Sequence, residues 1–277
     1  MRHKFPLAVC LASLVVYSIV VARLDKIPRE KEKDVLRSAI PAPVQVLLAG
    51  GDRYLAANIA VFRAVVVSTG ELDPEAYEIL GRVQYDAARL NPAHEDNYYT
   101  AQGILPWNGQ LEADMFIQNE ATRARPWDYL PPFFLGFDHY YFLHSSAAGA
   151  QQLELAASRS PAGNRESLVN MAARWYEKGD DPRIAAGMIE AMAKNTRDSS
   201  MRRLLEKRLV RMRGLVELRD AAAKFLQENN RVPRDLSELL GPDLLSALPI
   251  DPFGQGFALD STGLPVFARP TAPAKQD

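Results

Sequence analysis

Apolar residues recur at helical spacing along most of the chain. From about residue 44 to residue 213 they fall three or four positions apart, with few stretches of strand-like alternation. An uncharged apolar run, Phe5 to Ala22, precedes this region and follows the basic cluster Arg2, His3 and Lys4. The pattern predicts a mainly α protein with an apolar helix near its N-terminus.

The N-terminal apolar run is 18 residues long (22 − 5 + 1), which just meets the minimum length for a helix that crosses a membrane. We interpret 5–22 as a transmembrane or signal-anchor helix behind a basic tail at 1–4. A retained anchor is favoured over cleavage after Ala22. The resulting expectation is an inner-membrane anchor with the body in the periplasm. A cytoplasmic body and a cleaved, secreted form are the alternatives.

Changes in composition divide the rest of the chain into five segments. They are a charged, proline-containing linker at 23–43, a repeat domain at 44–196, a long amphipathic capping helix at 197–228, a small C-terminal module at 229–268 and a disordered tail at 269–277.

A repeat is visible in the spacing of the helix ends. Helix-terminating pairs occur at Asn91-Pro92, Arg125-Pro126, Ser160-Pro161 and Asn195-Thr196, at intervals of 34, 35 and 35 residues (126 − 92, 161 − 126, 196 − 161). Proline ends one helix and is well placed at the start of the next. Each interval has room for two helices, so the spacing predicts a series of helix pairs.

The small residues Ser68 and Gly136, the alanines Ala87 and Ala121, and the joint prolines occupy positions typical of one family. Residues 51–195 resemble tetratricopeptide repeats on this basis. The resemblance implies an α-α superhelix of about four helix pairs, in which each pair buries its apolar face against the next. It also implies a concave surface that binds a peptide or protein.

The C-terminal module has a different pattern. After the long helix come the motif Asp251-Pro252-Phe253-Gly254 and two short apolar segments, 256–259 and 264–267, which are separated by turn residues and predict a β-hairpin. Residues 218–267 resemble the globular part of the major pseudopilins of type II secretion systems. The resemblance implies a link to an envelope secretion or pilus-like machine. It does not extend to that family's processing site or calcium loop, so we expect no calcium ligand.

Charge and composition exclude several classes of function. The 33 basic and 34 acidic residues nearly cancel, which argues against a nucleic-acid partner. Cys10 is the single cysteine, and His139 and His144 lie five residues apart, so we expect no metal and no cofactor. Hydrolase, nucleotide-binding and metalloprotease motifs are absent, so we do not expect an enzyme. The alternatives are an enzyme whose cleft uses Asp138, His139 or His144, and a structural subunit of a secretion or pilus assembly.

The most distinctive feature is a concentration of aromatic residues in the central repeats. Aromatic side chains on the first helices of successive pairs would line the concave surface and anchor a partner. The groove candidates are Tyr99, Trp107, Asn108, Phe133, Phe137, Tyr140 and His144. A basic face on the long helix comprises Arg202, Arg203, Lys207, Arg208 and Arg211. The sequence therefore predicts a membrane-anchored scaffold or adaptor at the cell envelope.

Overall fold

A computed structural model describes residues 4–24, 38–67 and 72–268. In the first of these segments, side chains are described for 12–21 and Arg23. Most of the predicted basic tail, most of the charged linker and all of the predicted disordered tail lie outside the described residues.

Helices form most of the described chain. Their bounds are α1 Lys4–Leu24, α2 Ala42–Leu48, α3 Arg53–Val67, α4 Pro74–Leu90, α5 Glu95–Ile104, α6 Leu111–Ala124, α7 Leu130–Tyr141, α8 Ser146–Arg159, α9 Ala162–Tyr176, α10 Pro182–Asn195 and α11 Ser199–Asn229. Short 3-10 turns lie at Pro106–Asn108 and Leu236–Leu239, and the strands are β1 Phe257–Leu259 and β2 Pro265–Phe267. The prediction of a mainly α chain with a small two-stranded sheet is confirmed.

The helices pack as successive pairs. Helix α3 packs on α4, α5 on α6, α7 on α8, and α9 on both α8 and α10. Contacts of α4 with α6 and of α6 with α7 join one pair to the next, and α11 closes the series against α10. This arrangement of packed helix pairs is compatible with a helical solenoid.

Two arginines, spaced by about one repeat interval, form hydrogen bonds across the joints between helix pairs. The Arg125 guanidinium donates to the carbonyl oxygen of Ala93 at 3.1 Å, just after the preceding joint. Arg159, 34 residues further on, donates to the carbonyl oxygen of Thr122 at 3.0 Å. Carbonyls in the last turn of a helix lack partners within the helix, so Arg159 satisfies a group that α6 leaves open.

Small side chains allow the helices to approach closely. The first core cluster lies among α3 to α6 and is rich in alanine, including Ala60, Ala64, Ala87 and Ala121. A second cluster joins α8 to α11 around Leu153, Ile189, Leu205 and other apolar residues. Each cluster draws its side chains from consecutive helices, so the core is built in sequence order along the chain.

The prediction of a membrane anchor at 5–22 is wrong. Within the part of the chain that the structure describes, no helix combines the length and apolarity needed to cross a membrane. A crossing helix needs about 20 predominantly apolar residues.

The C-terminal module packs against α11. Strands β1 and β2 are antiparallel, with Phe257 opposite Phe267. Helix α11 has Gly214 where the module approaches, and a Cβ there would lie 2.9 Å from Pro249 and 3.1 Å from Phe257. Glycine is therefore required for this contact, because any side chain would push the module away.

Candidate functional site

A groove lies on the face formed by α7 and α9, the first helices of two successive pairs. Its base is a stacked ring pair, Tyr140 on Trp175, with centroids 4.2 Å apart and an interplanar angle of 6°. Tyr140 lies in the last turn of α7, and Trp175 lies in the last turn of α9. Because α8 separates these two helices in the chain, the ring pair directly joins two repeats.

Glycines in α7 and α8 place this ring pair. A Cβ on Gly149 would lie 2.8 Å from the carbonyl oxygen of Gly136 and 3.1 Å from the Trp175 ring. The backbones of α7 and α8 are therefore in close contact at this crossing, and Trp175 fills the space above Gly149. The indole is 9% exposed, so it is rigidly held.

Two open cavities make up the groove, and Lys178 lines both. The first has a volume of about 700 Å³ and is lined by Tyr140, Tyr141, Phe142, His144, Ser146 and Lys178. The second has a volume of about 460 Å³ and is lined by Phe133, Phe137, Ser167, Asn170, Met171, Arg174, Trp175 and Lys178. We call the two together the Lys178 groove.

An exposed aromatic cluster borders the groove. Phe137 and Tyr141 stack with centroids 5.3 Å apart, and Trp107 contacts Tyr141 at 5.3 Å and Phe142 at 5.0 Å. Trp107 remains 53% exposed, although indole is among the side chains with the most to gain from burial. This cluster of Trp107, Phe137, Tyr141 and Phe142 is called the Trp107 cluster below.

The structure brings most of the predicted groove residues together. Phe133, Phe137, Tyr140 and His144 line the two cavities, and Trp107 stands beside them. The other two candidates differ. Tyr99 is exposed and contacts Phe134, with centroids 5.6 Å apart. The Asn108 amide donates to the carbonyl oxygen of Ile104 at 2.7 Å, so it supports its own turn.

His144 has a backbone conformation that few residues adopt. Its φ is 53°, in the left-handed region, and it lies in the short connection between α7 and α8. Histidine tolerates this region better than most residues, but the conformation still has an energetic cost. The turn places His144 in the wall of the first cavity.

Sequence reasoning missed Arg174, Trp175 and Lys178. The signal was nonetheless present, because Trp175 follows Tyr140 by one repeat interval (175 − 140 = 35). Equivalent positions in neighbouring repeats lie side by side on the same face. The groove residues predicted from the sequence lie between 99 and 144, before α9 begins.

A buried polar layer lies on the other side of α7. Asp114 and Asp138 are both fully buried, and the Oδ2 atom of each has no hydrogen-bond partner among the described residues. Gln118 donates to Asp114 at 3.1 Å, and Gln102 donates to Asp138 at 3.0 Å. Burial raises the pKa of Asp114 well above its usual range, and the negative charge of Asp138 raises it further. Both effects favour the protonated form of Asp114.

The residues of the enzyme alternative are not arranged around one opening. Asp138 is fully buried between helices, where it accepts a hydrogen bond from Gln102 and interacts with Asp114. Burial lowers the pKa of His139, and the nearby charge of Asp138 partly offsets this effect. His144 faces the groove instead. In the described residues, no cluster of three or more His, Cys, Asp or Glu side chains could hold a metal ion.

The predicted basic face of α11 divides into two groups. Arg202, Arg203 and Lys207 are exposed. Arg208 pairs with Glu177 at 2.6 Å, and Arg211 lies 3.3 Å from Asp251 and 4.0 Å from the centre of the Phe267 ring. Arg208 and Arg211 thus take part in internal packing, while a partner role for the exposed group stays a prediction.

The fold defines a class of protein, a mostly helical array of packed helix pairs with an aromatic groove. No known protein family matches the chain, and neither the curated proteins nor the solved structures contain a significant match to it.

Proposed function

We propose that this chain is a protein-interaction module that holds an extended peptide segment of its partner in the Lys178 groove. The observation that carries this proposal is the Trp107 cluster, in which an indole stays 53% exposed beside two open cavities. On this view the helix pairs act as tetratricopeptide repeats do, with the first helices of successive pairs presenting the binding residues. The chain is then an adaptor or scaffold.

Rigid aromatic side chains favour binding of this kind. They offer a large contact area, and little conformational entropy is lost when a partner covers them. In this groove the rings are already held by one another, Phe137 against Tyr141 and Tyr140 against Trp175. A site that is organised before binding loses less free energy to ordering.

Selection of random dodecapeptides displayed on phage tests the proposal. We expect the wild-type protein to enrich peptides that compete for one site. Trp107→Ala should weaken the binding of those peptides at least tenfold, in keeping with the effect of a central aromatic anchor. Circular dichroism should show unchanged helix content, because Trp107 is largely exposed.

Trp127→Ala is the matched control. Trp127 is 67% exposed and lies outside the groove, near Arg125. It should leave peptide binding unchanged. If no peptide is enriched, or if the two tryptophan variants behave alike, the groove is not a peptide site.

Other expectations from the sequence stay predictions. They are the location of the body at the cell envelope, the similarity of 218–267 to pseudopilins, the link to a secretion or pilus-like assembly, and the alternative of a structural subunit. Affinity purification after crosslinking in cells addresses them together, because a fixed stoichiometry with other subunits would indicate a structural component. A partner released by Trp107→Ala would indicate an adaptor.

A further inference from the structure

The Lys178 groove carries positive charge that the described chain does not neutralise. Arg174 and Lys178 both line the second cavity, and neither forms an ion pair with another described residue. Among the described side chains that line the two cavities, none is a carboxylate. This is notable in a chain whose acidic and basic residues nearly balance.

The carboxylate nearest in sequence is turned away. Glu177 lies between Arg174 and Lys178 in the chain, but it is buried and pairs with Arg208 at 2.6 Å. That pair is almost removed from solvent, with side-chain exposures of 11% and 9%. The Glu177 carboxylate is therefore neutralised by Arg208 and does not offset the positive charge of Arg174 and Lys178 in the groove.

Lys178 is oriented before any partner arrives. Its ammonium group donates to the hydroxyl of Tyr140 and lies 5.1 Å from the centre of that ring. Tyr140 is in turn stacked on Trp175. Because a hydroxyl carries no charge, this contact positions the ammonium group and leaves its charge available to a ligand.

The placement of the two cations suits an extended chain. Arg174 lies in the last turn of α9 and Lys178 two residues after its end, and both side chains line the second cavity. Alternate side chains of an extended peptide point the same way and are roughly 6.5 Å apart. Two carboxylates at positions i and i+2 of such a peptide would both face the cavity that the two cations line.

The rings favour a peptide over an acidic polysaccharide. Sugars stack on free aromatic faces, whereas here the faces of Tyr140 and Trp175 cover each other, as do those of Phe137 and Tyr141. Apolar side chains from a peptide can pack between rings that are tilted against each other, as Trp107 and Tyr141 are at 52°.

We propose that the groove binds an acidic peptide segment in extended conformation, with carboxylates two residues apart on Arg174 and Lys178 and a neighbouring apolar side chain on the Trp107 cluster. This inference rests on the proposed function and names the partner class for the same site.

The phage selection described above also tests this inference. Peptides selected on the wild type should be enriched in Asp or Glu at alternate positions. The double variant Arg174→Glu/Lys178→Glu should fail to enrich them. The consensus peptide should bind in fluorescence anisotropy and weaken by roughly tenfold when its acidic residues become Gln, as expected for close charge pairs. Raising the NaCl concentration should weaken it further.

Lys207→Glu is the matched control, since Lys207 is an exposed cation of α11 that lines neither cavity. It should leave binding unchanged. Peptides that depend on Trp107 but show no acidic enrichment would overturn this inference and leave the proposed function in place. Failure to select any peptide would overturn both. Oligogalacturonate binding that depends on Arg174, in the absence of an acidic peptide consensus, would replace the peptide with a polysaccharide.

Discussion

The Trp175 ring lies directly on the backbone of Gly149, so closely that a Cβ on the glycine would be 3.1 Å from two ring carbons. The same Cβ would be 2.8 Å from the carbonyl oxygen of Gly136. A glycine in α8 thus determines both the crossing with α7 and the height of the indole beneath Tyr140. The groove depends on this contact, although Gly149 itself lines neither cavity.

Gly149→Ala should therefore destabilise the protein by about 1–3 kcal/mol, because the backbone of α7 and a packed indole must both move. The change should be visible in chemical denaturation and as altered tryptophan fluorescence of the native state. Gly187→Ala is the control. Gly187 lies in α10 with open space around its Cβ position, and alanine there should stabilise by about 0.5–1 kcal/mol through helix propensity. Equal effects of the two substitutions would contradict the packing argument.

Tyr98 and Tyr99 are adjacent in α5 but have different environments. The buried Tyr98 hydroxyl donates to Asp128 at 2.6 Å, and Arg125 donates to the same carboxylate at 2.9 Å. Tyr98→Phe should cost about 1.5–3 kcal/mol, since it removes a hydrogen bond to a charged group. Tyr99→Phe should have no measurable effect because Tyr99 is exposed. Urea denaturation of both variants checks this difference. If Tyr98→Phe leaves the free energy of unfolding unchanged, the network adds no stability.

The same network should respond to acid. Burial alone would raise the pKa of Asp128, but hydrogen bonds from Tyr98, the Leu130 N–H and Arg125 outweigh this effect and lower it. A lowered pKa means that the folded state binds this proton less readily than the unfolded state does. The associated stability is present above the unfolded pKa of about 4 and is lost as pH falls through the folded value. Asp128→Asn should therefore reduce the loss of stability below about pH 4, as measured by urea denaturation across that range.

The buried pair Asp114 and Asp138 should have the opposite pH dependence. Because burial raises the pKa of both carboxyls, the folded state binds a proton that the unfolded state releases. Stability should consequently fall as pH rises from about 4 towards neutrality. Asp114→Asn should flatten that dependence and raise the free energy of unfolding by about 1–3 kcal/mol at pH 7. The reason is that an amide donates a hydrogen bond to Asp138 without first taking up a proton.

Glu206→Gln is the control for this pair, because Glu206 is an exposed carboxylate of α11. It should leave the slope of stability against pH unchanged. An unaltered slope in Asp114→Asn would refute the raised pKa of Asp114.

Asp251 should hold the C-terminal module against α11. Its carboxylate accepts the backbone N–H groups of Phe253, Gln255 and Gly256 at 2.9, 3.1 and 2.9 Å, and it pairs with Arg211. Asp251→Ala would leave the buried Arg211 charge without a carboxylate, with only Gln255 and the Phe267 ring beside it, at a cost of about 3–5 kcal/mol. Hydrogen exchange should rise across 249–268, whereas Asp243→Ala, at an exposed position, should not change it. Unchanged exchange in Asp251→Ala would mean that the apolar contacts of β1 and β2 hold the module alone.

Local sequence features determined the helices and their joints. Proline and small residues at helix ends act within a few positions, so α4 ends just before the predicted joint Asn91-Pro92, and the predicted hairpin at 256–267 appears as β1 and β2. The interval of 34 or 35 residues likewise indicated the helix pairs. The exception is the segment at 5–22, where an uncharged run predicted a membrane anchor that the described helices do not support.

Tertiary structure alone decided the charge and the geometry of the groove. The stacking of Tyr140 on Trp175 depends on how α8 separates α7 from α9, and the pairing of Glu177 with Arg208 joins residues 31 positions apart. Without that pairing, Glu177 would offset the charge of Arg174 and Lys178. Such contacts form between helices that are distant in the chain. The spacing of apolar residues within one helix does not show which residues of another helix it will contact.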